Sequence, residues 1–93
     1  MSNLESPWKT LLLQWPDEMP RRGIVISTQG EQIPFNGFMT SEHFVVFSRN
    51  TPDALGARTV ILPYDNLATV KMTEIVKSPV YQKAGFQGEL GRQ

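Results

Sequence analysis

The chain has 93 residues, of which 40% are hydrophobic and 19% are charged, a balance typical of folded domains rather than disordered segments. Lys plus Arg and Asp plus Glu both number 9, so the whole chain lacks the basic field that sequence-independent nucleic-acid binding normally needs. The absence of cysteine excludes disulfides, thiol catalysis and thiolate metal sites. We expect one cytoplasmic domain, because no apolar run approaches the roughly 20 residues of a membrane span and the first residues do not resemble a secretory signal.

A short amphipathic helix is predicted over residues 7–15. Ser6 can cap this helix, and Pro7 suits its first position. Pro16 ends it, because proline cannot continue the helical hydrogen-bond pattern. We expect one face of the helix to pack on the strands that follow. The apolar residues of that face recur at helical spacing and are Trp8, Leu11, Leu12 and Trp15.

Three consecutive β-strands are predicted next, namely Gly23–Thr28, Glu31–Thr40 and Phe44–Phe47. The first two are joined by a tight turn in which Gly30 tolerates a positive φ. The third strand is apolar on both faces, which is typical of a strand buried from two sides. The second strand alternates, and its predicted apolar face carries Ile33, Phe35, Gly37 and Met39.

Two more strands are predicted, Arg58–Leu62 and Leu67–Thr73, with a sharp turn between them. Five short strands joined by tight turns favour a small antiparallel barrel of the SH3-like kind. The predicted fold class is therefore mostly β, with a short N-terminal helix and a five-stranded antiparallel barrel. Residues 1–77 would form this single domain, and residues 78–93 would form a C-terminal tail that is flexible or docked on a partner.

The apolar residues exceed what one small barrel can bury. The surplus lies in the two tryptophans of the helix, in both faces of Phe44–Phe47 and in the run Val60–Leu62. Edge strands also need partners or protection, since their backbone groups are unpaired. We therefore expect a homo-oligomer formed by strand pairing.

Three motifs, together with the order of a helix and five strands, resemble the Sm-like family, and in particular its bacterial RNA-chaperone branch. Residues 30–37, GEQIPFNG, are similar to the first signature, with two additional residues between the glycines. An even insertion keeps the alternation of side chains in phase. Residues 41–46, SEHFVV, resemble the turn and third strand, and residues 62–70, LPYDNLATV, resemble the second signature. The resemblance implies an Sm-like barrel, a ring-shaped homo-oligomer and the binding of single-stranded RNA.

The resemblance also implies a ligand face at the two turns. Aromatic side chains there can stack unpaired bases, for about 1–3 kcal/mol each, and His or Asn side chains can hydrogen-bond a base. In the RNA-chaperone branch a Lys and a His follow the tyrosine, whereas Asp65 and Asn66 stand at these positions here. A carboxylate beside a phosphate path opposes RNA binding. The candidate RNA-binding residues are His43, Phe44, Tyr64 and Asn66, with Arg58 and Lys71 as phosphate contacts.

Each candidate also has an ordinary structural interpretation, so two functions stay open. His43 and Asn66 are common turn residues, Phe44 and Tyr64 suit a core or interface, and the cations are interspersed with acids. The first function is an Sm-like oligomer that binds RNA; the second is a structural or protein-interaction module that self-assembles through barrel edges without nucleic acid. We predict no enzymatic activity, metal, cofactor, small-molecule substrate or membrane contact, because no catalytic constellation is present and a single His cannot build a multi-His site.

Overall fold

The computed structural model describes residues 6–91, which contain two short α-helices, six β-strands and one 3₁₀ turn. The predicted mostly β fold with a short N-terminal helix is confirmed. Residues 1–5 of the predicted domain and 92–93 of the predicted tail lie outside the described residues. In chain order the elements are α1 (Pro7–Leu13), β1 (Gly23–Ser27), β2 (Gln32–Phe35), β3 (Gly37–Thr40), β4 (Phe44–Ser48), β5 (Thr59–Pro63), the 3₁₀ turn (Tyr64–Asn66), β6 (Leu67–Met72) and α2 (Ser78–Lys83).

Helix α1 begins as its sequence predicts. The Ser6 hydroxyl accepts a hydrogen bond from the Trp8 backbone N–H at 3.2 Å, and Pro7 occupies the first turn. The predicted apolar face packs inward, with Leu12 buried and Trp8 and Leu11 partly buried against the core. The helix ends at Leu13, before the predicted end. Trp15 still reaches the core, and its indole N–H donates to the Met19 carbonyl at 3.1 Å.

The strands form two three-stranded antiparallel sheets. Strand β1 lies between β2 and β6 in the first sheet, and β4 lies between β3 and β5 in the second. The predicted turn between β1 and β2 is confirmed, because Gly30 has a φ of 88° and donates its N–H to the Ser27 carbonyl at 2.9 Å. The fully buried side chains come from both sheets, so the core lies between them: Val25, Ile33, Val45 and Phe47.

The predicted second strand is two strands, because the chain bends at Asn36. The Asn36 N–H donates to the Ser48 carbonyl at 2.9 Å, its side-chain oxygen accepts from the Ser48 hydroxyl at 2.6 Å, and its side-chain amide donates to Asn50. The bend shifts the alternation by one residue, so Phe38 is buried while Met39 is 73% exposed. The predictions of five strands and of an inward-facing Met39 are therefore wrong.

The predicted closed barrel is also wrong. Across residues 6–91 the sheets are joined at the Asn36 bend, but β5 pairs with β4 alone and β6 pairs with β1 alone. The physical reason is the 3₁₀ turn Tyr64–Asn66, which separates β5 from β6 and directs the two strands into different sheets. Among the described residues four strands therefore have a single strand partner: β2 and β6 in the first sheet, and β3 and β5 in the second.

Strand β4 is buried on one face only. Val45 and Phe47 point into the core, where Phe47 packs against Phe35 and Phe38 with ring centroids 4.9 and 6.0 Å apart. Phe44, on the opposite face, is 47% exposed. The prediction that this strand is buried from two sides is therefore wrong for its outer face.

The segment predicted as a tail contains helix α2. Its Tyr81 ring packs edge-on against Phe86, with centroids 6.1 Å apart, and the Leu90 N–H donates to the Ser78 hydroxyl at 2.8 Å. Lys83 forms an ion pair with Glu18 of the connector after α1. This segment therefore folds back towards the N-terminal part of the chain.

Candidate functional site

Tyr64 fixes the geometry of the two turns that the sequence analysis singles out. Its side chain is only 4% exposed, and its hydroxyl donates to the Ser41 carbonyl at 2.7 Å. The bond ties the 3₁₀ turn after β5 to the turn between β3 and β4. Because the ring is packed in the core, Tyr64 positions the site and does not offer a face on which a base could stack.

The turn between β3 and β4 presents His43 to solvent. Ser41 donates its N–H to the Phe44 carbonyl at 2.9 Å, and its hydroxyl accepts the Phe44 N–H at 3.2 Å. His43 Nε2 lies 3.6 Å from Glu42 Oε1, and both side chains are more than three-quarters exposed. Solvent screening makes such an exposed pair weak. His43 is therefore accessible to a ligand, with a carboxylate beside it.

The two turns and the start of α1 surround a cavity of about 390 Å³. Two basic side chains, Lys9 and His43, share it with two carboxylates, Glu42 and Asp65. The charges are mixed, so the cavity does not present the cationic surface that phosphate neutralisation requires. The full lining is Ser6, Lys9, Glu42, His43, Pro63, Tyr64 and Asp65.

The remaining predicted site residues lie away from this cavity. The Asn66 carbonyl accepts the Thr28 N–H at 2.8 Å, which ties that end of the 3₁₀ turn to the end of β1. Arg58 precedes β5 and lies six residues before the turn, and Lys71 lies near the end of β6, five residues after it, which is about 17 to 20 Å along a strand. The structure thus brings His43 and Tyr64 together, places Phe44 next to them, and leaves Arg58 and Lys71 at the far ends of their strands.

Several other cations are engaged within the fold. The Arg21 guanidinium lies 3.9 Å from the centroid of the Phe38 ring and donates to the Phe38 carbonyl at 3.1 Å. Arg22 lies 3.8 Å from Glu74. The hydrogen bond from Lys83 lowers the pKa of Glu18 below its ordinary value. Because these three cations contact groups of their own chain, they do not combine into a shared basic surface.

An exposed apolar surface covers the outer side of the second sheet. The strand register places Met39 opposite Val46 and Val46 opposite Ile61, so the three side chains form a row across β3, β4 and β5. Ile61 is 65% exposed, and Phe44 lies in the same surface. We call Met39, Phe44, Val46 and Ile61 the outer apolar face. The alternation of the sequence does not predict this face, because the bend at Asn36 changes which residues of the strand point outward.

A second apolar surface lies between the helices and the edge of the first sheet. It holds two adjoining cavities of about 360 and 560 Å³ that share Trp8, Leu11 and Phe86. The smaller cavity extends to Val70 and Met72 of β6. The cavity linings carry no charged side chain. We call this surface the apolar groove and define it by Trp8, Leu11, Trp15, Val70, Met72 and Phe86.

Within residues 6–91 no three or more His, Cys, Asp or Glu residues are grouped so as to hold a metal ion. None of the helices described is long and apolar enough to cross a membrane. Comparisons of the chain with protein-family models, curated proteins and solved structures give no match.

Proposed function

We propose that the chain is a non-enzymatic, Sm-like binding module that assembles with further copies of itself through strands β5 and β6. The observation that carries the proposal is that each of these strands ends its sheet with one hydrogen-bonded neighbour among the described strands, and that neither is continued into the other sheet by the Asn36 bend, as the other two terminal strands, β2 and β3, are. The free N–H and C=O groups of such an edge pair readily with another chain. Pairing β5 of one copy with β6 of the next joins unlike edges, and repeated contacts of this kind can close a ring.

Three features support the Sm-like part of the proposal. A short helix precedes the strands, one sharply bent stretch serves both sheets as β2 and β3, and a 3₁₀ turn separates the last two strands. The bend falls within the first motif, residues 30–37, and Tyr64 of the second motif begins the 3₁₀ turn. The motifs therefore coincide with the positions at which the two sheets are joined and separated.

The backbone of β5 shows which groups face the open edge. Arg49 donates its N–H to the Arg58 carbonyl at 2.9 Å, so Arg58 is hydrogen-bonded to the strand before it. Hydrogen-bonding direction alternates along an antiparallel strand. The N–H of Ile61 therefore points away from β4 and is available to another copy. Pro63, at the end of β5, has no N–H to offer.

Two substitutions at Ile61 test the edge directly. Ile61→Pro removes the outward N–H, whereas Ile61→Ala shortens the side chain and keeps that N–H. We expect the unmodified chain to have a solution mass several times its 10.5 kDa by light scattering after size exclusion, and Ile61→Ala to retain it. Ile61→Pro should dissociate while keeping its β-rich circular dichroism spectrum. A monomeric unmodified chain, or a folded Ile61→Pro variant of unchanged mass, contradicts the proposal.

Binding of single-stranded RNA is the second candidate function. The observation in its favour is that His43 lines the mixed-charge cavity and that the next residue, Phe44, is also exposed. Glu42 and Asp65 in that cavity oppose it, so a protein-interaction module is the better supported function. The test is titration of a labelled single-stranded RNA at low salt, where phosphate contacts are strongest. Binding that falls steeply with salt and is lost in His43→Ala supports RNA; an oligomer that binds none at low salt eliminates it.

A further inference from the structure

The loop between β4 and β5 holds one leucine in an unusual position. Leu55 is 95% exposed, the largest exposed fraction among the large hydrophobic residues described. Its loop is nevertheless well ordered by hydrogen bonds, because Asp53 Oδ1 accepts the N–H groups of Leu55 and Ala57, both at 2.8 Å. Asp53 and Ala57 are also joined through their backbones at 3.0 Å. A preorganised loop backbone loses little conformational freedom when it binds, so this loop is suited to docking.

Antiparallel pairing between copies would place this loop beside the apolar groove. The loop leads directly into Thr59, the first residue of β5, and the groove is bounded by Met72, the last residue of β6. When β5 of one copy runs antiparallel to β6 of the next, the start of β5 lies beside the end of β6. We infer that Leu55 of one copy inserts into the apolar groove of the next copy. The inference rests on the proposed self-association through β5 and β6.

Contact area favours a second copy as the occupant of the groove. A junction of five-residue strands is a strip about 17 Å long and one strand wide. Stable interfaces bury about 800 Å² on each partner, so strand pairing alone leaves the junction too small. The loop and the groove lie at the same end of the junction and would extend it with apolar contacts. This is the kind of contact in which a few buried side chains supply most of the binding free energy.

Charge favours the same arrangement. Arg58 immediately precedes β5, and Glu74 follows β6 by two residues, so antiparallel pairing brings them to the same end of the junction. The Glu74 side chain is half exposed, although it lies 3.8 Å from Arg22 of its own chain. A carboxylate can accept hydrogen bonds from two cations. The groove and Glu74 therefore suit a partner that presents an apolar side chain followed by a guanidinium. Leu55 and Arg58 of a second copy supply both groups.

A disulfide cross-link tests the contact without relying on affinity. The chain has no cysteine, so the paired variant Leu55→Cys with Met72→Cys carries only the two thiols of interest. Met72 lines the smaller cavity of the groove, at the end of β6 beside which the loop would lie. Contact between unlike surfaces predicts a ladder of covalent oligomers on a non-reducing gel after oxidation of the assembled protein. Each single-cysteine variant should give at most a dimer. A double variant that also stops at dimer contradicts the inference.

The energetic contribution of Leu55 is tested by a matched pair of serine substitutions. Leu55→Ser removes the apolar side chain that would enter the groove, and Met39→Ser removes a similarly exposed apolar side chain from the outer apolar face. We expect Leu55→Ser to raise the dissociation constant of the assembly at least about tenfold, and Met39→Ser to change it less than about threefold. Both variants should melt close to the unmodified chain, since neither residue is buried. Equal effects of the two substitutions on assembly overturn the inference.

The outcomes separate this inference from the function on which it rests. If the unmodified chain is monomeric, the proposed self-association fails, and the contact of Leu55 with a second copy fails with it. If the chain assembles and Ile61→Pro dissociates it, but Leu55→Ser has no effect and no covalent ladder forms, self-association stands and the Leu55 contact alone is wrong. An assembled chain that yields the ladder and weakens in Leu55→Ser supports both.

Discussion

The Tyr64 hydroxyl donates a hydrogen bond of 2.7 Å to the carbonyl of Ser41, a residue 23 positions earlier in the chain. The bond joins the two turns at one end of the molecule and secures the point at which β5 leaves one sheet and the chain enters the other. The bond is part-buried, with the Tyr64 ring in the core and Ser41 at the surface.

Removing this hydroxyl should therefore destabilise the fold. We expect Tyr64→Phe to lower the free energy of unfolding by about 1 kcal/mol, because one intramolecular hydrogen bond is lost and the Ser41 carbonyl loses its donor. Equilibrium urea denaturation measures the change. Tyr81→Phe, which removes the hydroxyl of a less buried tyrosine, is the control and should shift the value by less than about 0.5 kcal/mol. Equal changes in unfolding free energy for Tyr64→Phe and Tyr81→Phe would contradict a stabilising role for the bond from Tyr64 to Ser41.

Gly23 should tolerate no side chain. A Cβ at this position would overlap the backbone carbonyl oxygen of Lys71 in the paired strand β6, and a backbone atom cannot rotate away. We expect Gly23→Ala to cost about 1–3 kcal/mol of unfolding free energy, the usual range for overpacking. Gly91→Ala is the matched control, since a Cβ at Gly91 meets nothing within 4 Å. A melting temperature unchanged by Gly23→Ala would show that β1 and β6 are not packed as described.

Phe47 should be the most sensitive aromatic position. It is fully buried between Phe35 and Phe38, so truncation to Ala removes the apolar contacts of a whole ring and leaves a cavity. We expect a loss of about 3–5 kcal/mol, a large fraction of the roughly 5–15 kcal/mol that stabilises a typical domain. Phe86→Ala, at a half-exposed position, should cost much less. A melting temperature of Phe47→Ala close to that of the unmodified chain would contradict the burial of Phe47 in the core.

The loop that carries Leu55 should depend on pH through Asp53. The N–H groups of Ala57 and Leu55 hold the pKa of this carboxyl below its usual value. A depressed pKa in the folded state means that the stabilisation is complete above the unfolded-state pKa and is lost as pH falls through the folded-state pKa. The difference in melting temperature between the unmodified chain and Asp53→Ala should therefore be larger at pH 7 than at pH 3. A difference independent of pH would show that the ionised carboxylate does not organise the loop.

Local patterns in the sequence predict the elements of this fold better than their arrangement. The cap at Ser6, the turn at Gly30 and the alternation of Ile33 and Phe35 depend on neighbouring residues, and all are present in the structure. The bend at Asn36 depends on Ser48 and Asn50, which lie more than ten residues away. No local pattern reports such contacts, so the outward position of Met39 was not predictable.

In the candidate site, too, features that depend on neighbouring residues were predictable, and features that depend on distant contacts were not. Exposure of His43 follows from a polar turn sequence, which the residues at 41–43 show directly. Burial of Tyr64 depends on Ser41 in another turn, and the separation of Arg58 and Lys71 from that turn depends on how far β5 and β6 extend. Helix α2 was missed because its contacts are with residues far away in the sequence: Val80 and Tyr81 pack against the core, and Lys83 pairs with Glu18.

The solution mass of the unmodified chain, measured by light scattering after size exclusion near neutral pH, tests the central claim most directly. Self-association through β5 and β6 predicts one species at several multiples of 10.5 kDa across a wide range of concentrations. A single species of 10.5 kDa at every concentration would contradict it, because the outer edges of β5 and β6 would then remain unpaired in solution.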